Sequence, residues 1–322
     1  MTATLTVPQG AALLDRVREA VATRVVGQET TVSDTLIGYL SRGHVLIEGV
    51  PGTAKTLLVR SLAAALGLRF ARIQFTPDLM PSDVTGVNVL RDPSRGFEFQ
   101  PGPVFTDLLL GDEINRAPAK TQSALLEAMA ERQVTVDGVS RPLGDAFTVF
   151  ATQNPVEHEG TYPLPEAQLD RFLLKTVMPY PTRDAELELL TRYEGGFDAE
   201  RLNDAEMPAV LSAAEVAALR HMVDGVRVAA EVRAYAADIA RATRDERMLS
   251  LGASPRATVA LFRAARGAAV LEGRDFATPD DVKGIAPAVL RHRIVLAPEL
   301  EVEGRTPDDV LAALLARVPA PE

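Results

Sequence analysis

The feature that most constrains this chain lies at residues 43–62. An apolar run, Val45-Leu46-Ile47, enters a glycine-bearing turn, Gly49-Val50-Pro51-Gly52-Thr53-Ala54. Lys55 and Thr56 then open a helix-patterned stretch with Leu57, Leu58 and Leu62 on one side. Strand, glycine-rich loop and helix in that order predict a phosphate-binding loop. Backbone N–H groups of such a loop wrap the β- and γ-phosphates, and the helix N-terminus adds partial positive charge. Lys55 would reach the terminal phosphates, and Thr56 would offer its hydroxyl to Mg²⁺. The usual pattern has glycine immediately before the lysine, whereas this chain has Ala54. A Cβ there requires negative φ, or about 1 kcal/mol or so of strain. The bland alternative is an ordinary strand–turn–helix corner.

Composition bears on Lys55. Of 34 basic residues only Lys55, Lys120, Lys175 and Lys283 are lysines. Where arginine is the default cation, a lysine inside the loop points to a need for a compact ammonium. The net charge of −10 argues against a broad nucleic-acid surface. The chain has no cysteine, which excludes disulfides, thiol nucleophiles and thiolate zinc sites. No signal peptide and no apolar run of membrane-spanning length are legible, so a cytoplasmic protein without membrane insertion is expected. At 322 residues, 47% of them hydrophobic, two domains of ordinary size are expected.

Helical spacing runs through residues 10–24 and again to about Leu40. Strand signals follow at 70–75, 108–110, 147–152 and 172–177, separated by helical patterns, which predicts a mainly parallel sheet covered on both faces. Two hairpins interrupt this order. One spans 87–100, with a turn through Asp92-Pro93-Ser94-Arg95-Gly96; the other spans 133–140, with an Asp137-Gly138 turn. The texture changes near Pro179-Tyr180-Pro181, and helices dominate beyond it. Ser212 with Glu215 makes a capping box. Thr278-Pro279-Asp280-Asp281 and Thr306-Pro307-Asp308-Asp309 repeat one helix-start signal. Residues from Gly195 to Pro208 read as a loop. The expected division is 1–181 as nucleotide-binding core, 182–212 as linker and 213–322 as helical lid.

Asp112-Glu113 ends an apolar strand. A Mg²⁺ bridging phosphate oxygens needs a carboxylate, which Asp112 supplies, and Glu113 suits the base that activates water. Asn154, after the next strand, could bond the water or the γ-phosphate at the carboxyl end of the sheet. Ser254 and Pro255 would start a helix and hold Arg256 in its first turn, beside a positive helix end, a place that suits a γ-phosphate. Arg171, before the last core strand, reads in isolation as a surface ion-pair residue. His44, His158, His221 and His292 show no metal-ligand spacing, and Glu157-His158-Glu159 reads as a polar loop.

Together these residues resemble the AAA+ ATPases, and within them the MoxR family. The resemblance is carried by Gly49–Thr56, by Asp112-Glu113-Ile114-Asn115-Arg116-Ala117-Pro118, by Ala151-Thr152-Gln153-Asn154-Pro155 and by Tyr162–Phe172. It implies a P-loop core, a parallel five-stranded sheet between helices, followed by a smaller all-α lid. It implies ATP and Mg²⁺ as cofactors. Lys55 and Thr56 match Walker A, Asp112 and Glu113 Walker B, Asn154 sensor 1 and Arg256 sensor 2. Arg171 resembles the arginine finger that enters a neighbour's site, and Val26-Gly27 the segment lining the adenine pocket, with Leu57 completing the nucleotide contacts. The hairpins resemble the helix-2 insert and the pre-sensor-1 hairpin. The family further implies a homo-oligomer, expected as a hexameric ring, acting on protein clients, often with a von Willebrand A domain partner and sometimes in metal-centre assembly. A magnesium-chelatase-type motor subunit and a nucleotide-gated scaffold with little turnover are the alternatives; a small-molecule kinase fits the helical lid poorly.

Overall fold

The computed structural model describes residues 5–92, 96–155, 162–197 and 207–321. Two helices, α1 (Val7–Ala22) and α2 (Glu29–Leu40), precede β1 (Val45–Glu48), the loop and α3 (Lys55–Ala65). Next come β2 (Phe70–Gln74), α4 (Pro81–Thr85), the hairpin β3 (Gly86–Asp92) and β4 (Gly96–Pro101), and β5 (Leu108–Asp112). After α5 (Ala119–Glu131) a second hairpin, β6 (Gln133–Val136) and β7 (Val139–Pro142), leads to β8 (Thr148–Gln153), α6 (Glu166–Leu169) and β9 (Leu174–Val177).

The five core strands form one parallel sheet in the order β2-β5-β8-β1-β9. Their apolar runs are buried on both faces, as strands linked through helical crossovers require: Leu108, Leu109 and Leu110 are all inaccessible. One face packs on Phe75, Phe147 and Met129. The other meets α1, α2 and α3 and continues without a break into Leu219, Leu261 and Val289 of the lid.

Residues 182–212 hold more than a linker, because α7 (Arg183–Glu194) occupies their first part. Thr182 caps it, accepting from the Ala185 amide, and Ala185, Leu189 and Arg192 turn inward while Leu187, Leu190 and Tyr193 face solvent. The lid contains α8 (Ala213–Gly225), α9 (Ala230–Ala242), α10 (Pro255–Leu271), α11 (Pro279–Leu290), α12 (Pro298–Val302) and α13 (Pro307–Arg317). The three start signals read from sequence hold α8, α11 and α13, with Ser212, Thr278 and Thr306 accepting from the amide three residues on. The lid is not purely helical: β10 (Arg227–Val228) pairs with β12 (Phe276–Ala277), and β11 (Leu249–Leu251) with β13 (Val295–Leu296). Such two- and three-residue strands are too short to show a period. Among the described residues no helix is long and apolar enough to cross a membrane.

Candidate nucleotide site

In a parallel sheet all strands deliver their carboxyl ends to one edge. Here that edge receives the loop after β1, Asp112 and Glu113 after β5, and Asn154 after β8. A cavity of about 450 Å³ opens there, lined by residues that include Lys55, Thr56, Asp112, Glu113 and Asn154.

The loop is shaped by close backbone approaches. A Cβ on Gly49 would lie 2.7 Å from the Met178 carbonyl oxygen, so only glycine fits. Gly52 has φ +83°, and the Thr53 hydroxyl donates to the Val50 carbonyl at 2.9 Å. Ala54 adopts φ +67°, ψ +27°. The strained alternative is therefore the one realised, at a cost of roughly 1–2 kcal/mol, the kind of strain that gathers where a loop must be preshaped. α3 begins at once, so the amides of Lys55, Thr56 and Leu57 have no carbonyl earlier in the helix to bond. The Lys55 ammonium donates to the Gly49 and Val50 carbonyls, each at 2.7 Å, which holds it within the loop.

The carboxylates are organised by Thr152 of β8. Its hydroxyl donates to Asp112 Oδ1 at 2.5 Å and accepts from the Glu113 amide at 2.9 Å. Glu113 sits in the left-handed region, φ +56°, which turns it out of the strand direction. Asp112 is buried, and its Oδ2 accepts from Thr56 Oγ1 at 3.2 Å. A hydroxyl and a carboxylate converging in this way fit Mg²⁺, which takes one or two protein ligands and fills its shell with phosphate and water.

Two residues that sequence reasoning missed complete the network. Arg72 of β2 donates to Asp112 Oδ2 through Nε at 3.1 Å and a terminal nitrogen at 2.7 Å. It also donates to Gln74 Oε1, and Gln74 in turn donates to Glu113 Oε2 at 2.7 Å. Arg116 closes on the same Glu113 oxygen at 3.1 Å. In sequence, Arg72 and Gln74 read as the solvated face of an alternating strand; only the register Gln74↔Asp112 reveals their task.

Val26 and Gly27 reach the same edge, but among the described residues they do not line the phosphate cavity. Gly27 has φ +69°, and a Cβ there would lie 2.7 Å from that of Ala185, so α7 covers this side. Gln28 donates to the Pro179 carbonyl at 3.0 Å.

Arg171 and Arg256 lie elsewhere. β9 runs parallel to β1 with Val45 opposite Leu174, so Arg171 sits beside Arg42 and Gly43 at the amino edge of the sheet. From Gly43 to Gly49 is six residues, roughly 20 Å at about 3.3 Å per residue. Arg256, in the first turn of α10, lines the same cavity as Arg171. That cavity, of about 400 Å³, also receives Arg42, Arg132, Arg263 and Arg293. The sequence reading placed Arg256 toward a γ-phosphate without saying whose; within one chain it faces away from the phosphate loop. His44 also lines this cavity. Burial, aided by the nearby Arg132 charge, pushes its imidazole down to about 3. Glu157-His158-Glu159 lies outside the described residues.

A profile of the ATPase family associated with various cellular activities (AAA) matches residues 44–174, and one of the AAA lid domain matches residues 241–314. Chaperone MoxR1 of Mycobacterium tuberculosis is 42% identical, covering 92% of this chain and 80% of that protein. Protein MoxR of Methylorubrum extorquens is 32% identical over 95% of this chain and 94% of that one. The magnesium-chelatase 38 kDa subunit of Acidiphilium rubrum stands further off, 28% identical over 92% of this chain and 97% of that subunit. The crystal structure of a Cytophaga hutchinsonii protein, provisionally described as an ATPase, matches with a TM-score of 0.88 and 40% identity over 98% of this chain and 97% of that one.

Proposed function

The chain belongs to the MoxR family of AAA+ ATPases, and from that premise we propose that it hydrolyses ATP at sites completed by a second copy of itself, using the cycle to remodel or mature other proteins. One observation carries the reading. Lys55, Thr56, Asp112, Glu113 and Asn154 gather at the carboxyl edge of the sheet, while Arg171 and Arg256 gather at the amino edge. Neither half makes a full phosphoryl-transfer site, and head-to-tail contact between copies joins them. Repeated with rotation, such a contact closes a ring; a hexamer is the proposed form.

In this reading the first-turn amides of α3 and the Lys55 ammonium hold the β- and γ-phosphates. Thr56 and Asp112 would hold Mg²⁺, which would offset negative charge on the phosphates. Glu113 accepts a proton from the attacking water, and Asn154 orients that water. Gln74 and Arg116 fix the Glu113 carboxylate, while Arg72 shares Asp112 with Thr56. The incoming Arg171 and Arg256 stabilise charge on the transferring phosphoryl group. Val26 and Gly27 border the base. Clients are proteins, in line with the name of the mycobacterial relative; a von Willebrand A domain partner and metal-centre assembly belong to the same proposal. The distance of the chelatase subunit favours this over a chelatase motor.

The test is a pair of variants. Lys55→Ala should lose ATP affinity while keeping its melting temperature. Glu113→Gln keeps the shape but not the basic carboxylate, so it should bind ATP yet turn over about 10²–10⁴-fold more slowly. Glu113→Gln with wild-type turnover would remove the assignment, and Lys55→Ala with wild-type affinity would remove the loop from it.

A further inference from the structure

The amino-edge cavity brings six arginines together, and among the described residues lining it Asp170 is the one carboxylate. Its two oxygens go to different elements of the lid. Oδ2 accepts from the Ser254 hydroxyl at 2.9 Å, and Oδ1 accepts from Arg293 Nε at 2.7 Å. Ser254 is the N-cap of α10, its hydroxyl accepting from the Arg256 amide at 3.1 Å. One hydroxyl therefore connects Asp170 to the backbone from which Arg256 projects. Arg171 is the next residue after Asp170 in the chain.

The lid holds this stretch from the other side as well. Arg293, 7% exposed, donates to the Asp170, Phe172 and Leu173 carbonyls. His292 Nε2 bonds the Phe172 carbonyl oxygen at 3.2 Å, and Arg291 donates to the Lys175 carbonyl at 3.2 Å. Three consecutive lid residues thus grip the approach to β9. Burial, and the charges of Arg256 and Arg263, pull the Arg293 guanidinium downward, and its bond to Asp170 opposes them. Without that carboxylate the arginines would repel one another across the cavity.

We propose that Asp170 is a positioning residue that sets Arg171 and Arg256 as one pair, fixing the second through Ser254 while its own backbone carries the first. The proposal rests on the reading that both arginines serve a neighbouring copy's nucleotide. Two arginines borne by different elements can meet one phosphoryl group together only if their spacing is held. Misplacement by about 1 Å can cost about 10²-fold in rate.

Two substitutions isolate this role. Ser254→Gly keeps a residue tolerated at a helix N-cap but removes the donor to Asp170. Asp170→Glu keeps a negative charge opposite Arg293 and moves the carboxylate outward by one methylene. Both should bind ATP within twofold of wild type and assemble normally, while single-turnover hydrolysis slows, for Asp170→Glu by up to about 10²-fold. In an Arg256→Ala background, Ser254→Gly should cause no further loss, because its effect passes through that arginine. A purely structural role predicts equal losses in both backgrounds, and that result would overturn the proposal, as would wild-type turnover in Ser254→Gly. If Arg171→Ala and Arg256→Ala themselves turn over normally, the in-trans reading fails first and the positioning role falls with it. If Asp170→Glu does not fold, the Ser254 comparison still decides.

Discussion

His44 shows how a single residue can be fixed by its surroundings. Its Nδ1 accepts from the Val149 amide at 2.9 Å, which leaves Nε2 to carry the proton toward the Met129 carbonyl at 3.2 Å. The neutral ring thus bridges β8 and α5 at the amino edge of the sheet. Burial pushes His44 down to about 3, and pushes the equally buried His292 well below its usual value near 6.5. Both stay neutral in the fold, whereas an unfolded chain would protonate them below about 6.5. Their contribution is complete above that pH and is lost as pH falls through the window from 6.5 toward 3. Asp34 pulls the other way, because burial raises its pKa and lets the folded state take up its proton first. A subtraction separates them. His44→Gln keeps an acceptor and a donor but not the titration, so its stability should fall less steeply between pH 6.5 and 5.5. The expected difference over that interval is about 1 kcal/mol, steepening toward about 1.4 kcal/mol per pH unit below it, read as urea midpoints for variant and wild type. Parallel lines would show that His44 takes up its proton in the folded state as readily as in the unfolded chain.

The two hairpins behave as one element. Asn88 of β3 donates to Asp137 at 2.6 Å, and the Arg141 guanidinium of β7 lies 3.8 Å over the Phe99 ring. Phe99 also meets Phe105 edge-on at 5.5 Å. Phe99 therefore serves packing, while Phe97, the other aromatic of β4, remains open, at 73% exposure, opposite Leu90. The side chain of Arg91, and Arg95 itself, lie outside the described residues. If the hairpin touches clients or a partner, Phe97 is the residue to change. Phe97→Ser should leave the unfolding free energy within the range of a neutral surface substitution, about ±0.5 kcal/mol, and spare basal turnover, while stimulation by client or partner falls. Equal loss of basal and stimulated rates would make the hairpin structural. The elements also mark what the sequence could reveal. The loop, the caps of α8, α11 and α13 and the hairpin turn at Asp137-Gly138 were legible because neighbouring residues set them. α7 was not, because Leu187, Leu190 and Tyr193 face solvent and its buried face rests on Ala185, Leu189 and Arg192, so the apolar pattern misleads. Arg72 and Gln74 reach Asp112 and Glu113 only through the register of β2 on β5, a long-range fact.

For the whole molecule, the decisive relation is the separation of Lys55 from Arg171; residue spacing alone did not reveal it, although the family resemblance implied it, and it follows from β9 running parallel beside β1. The Arg171 guanidinium donates to the Leu126 carbonyl at 2.6 Å on the amino edge, while Lys55 lies in the loop at the carboxyl edge. An arginine on that edge cannot serve its own nucleotide without crossing the sheet, whereas a neighbour stacked head to tail needs no such movement. A finger of this kind contributes on the order of 10³–10⁵ in rate in other phosphoryl-transfer systems. Specific activity should then rise with protein concentration, because only assembled sites are complete. Arg171→Ala should bind ATP nearly as wild type does and hydrolyse it slowly. Mixing it with Lys55→Ala separates action between copies from action within one. Each variant alone should be slow or inactive, but a mixed ring would contain interfaces that join an intact Lys55 loop to an intact Arg171 from the next subunit. Those interfaces should recover hydrolysis, in proportion to their statistical share of the ring. An arginine acting within its own chain recovers nothing, since every chain then lacks one of the two residues. Absence of recovery, with subunit exchange confirmed by fluorescence transfer between labelled chains, would return Arg171 to an ordinary surface role.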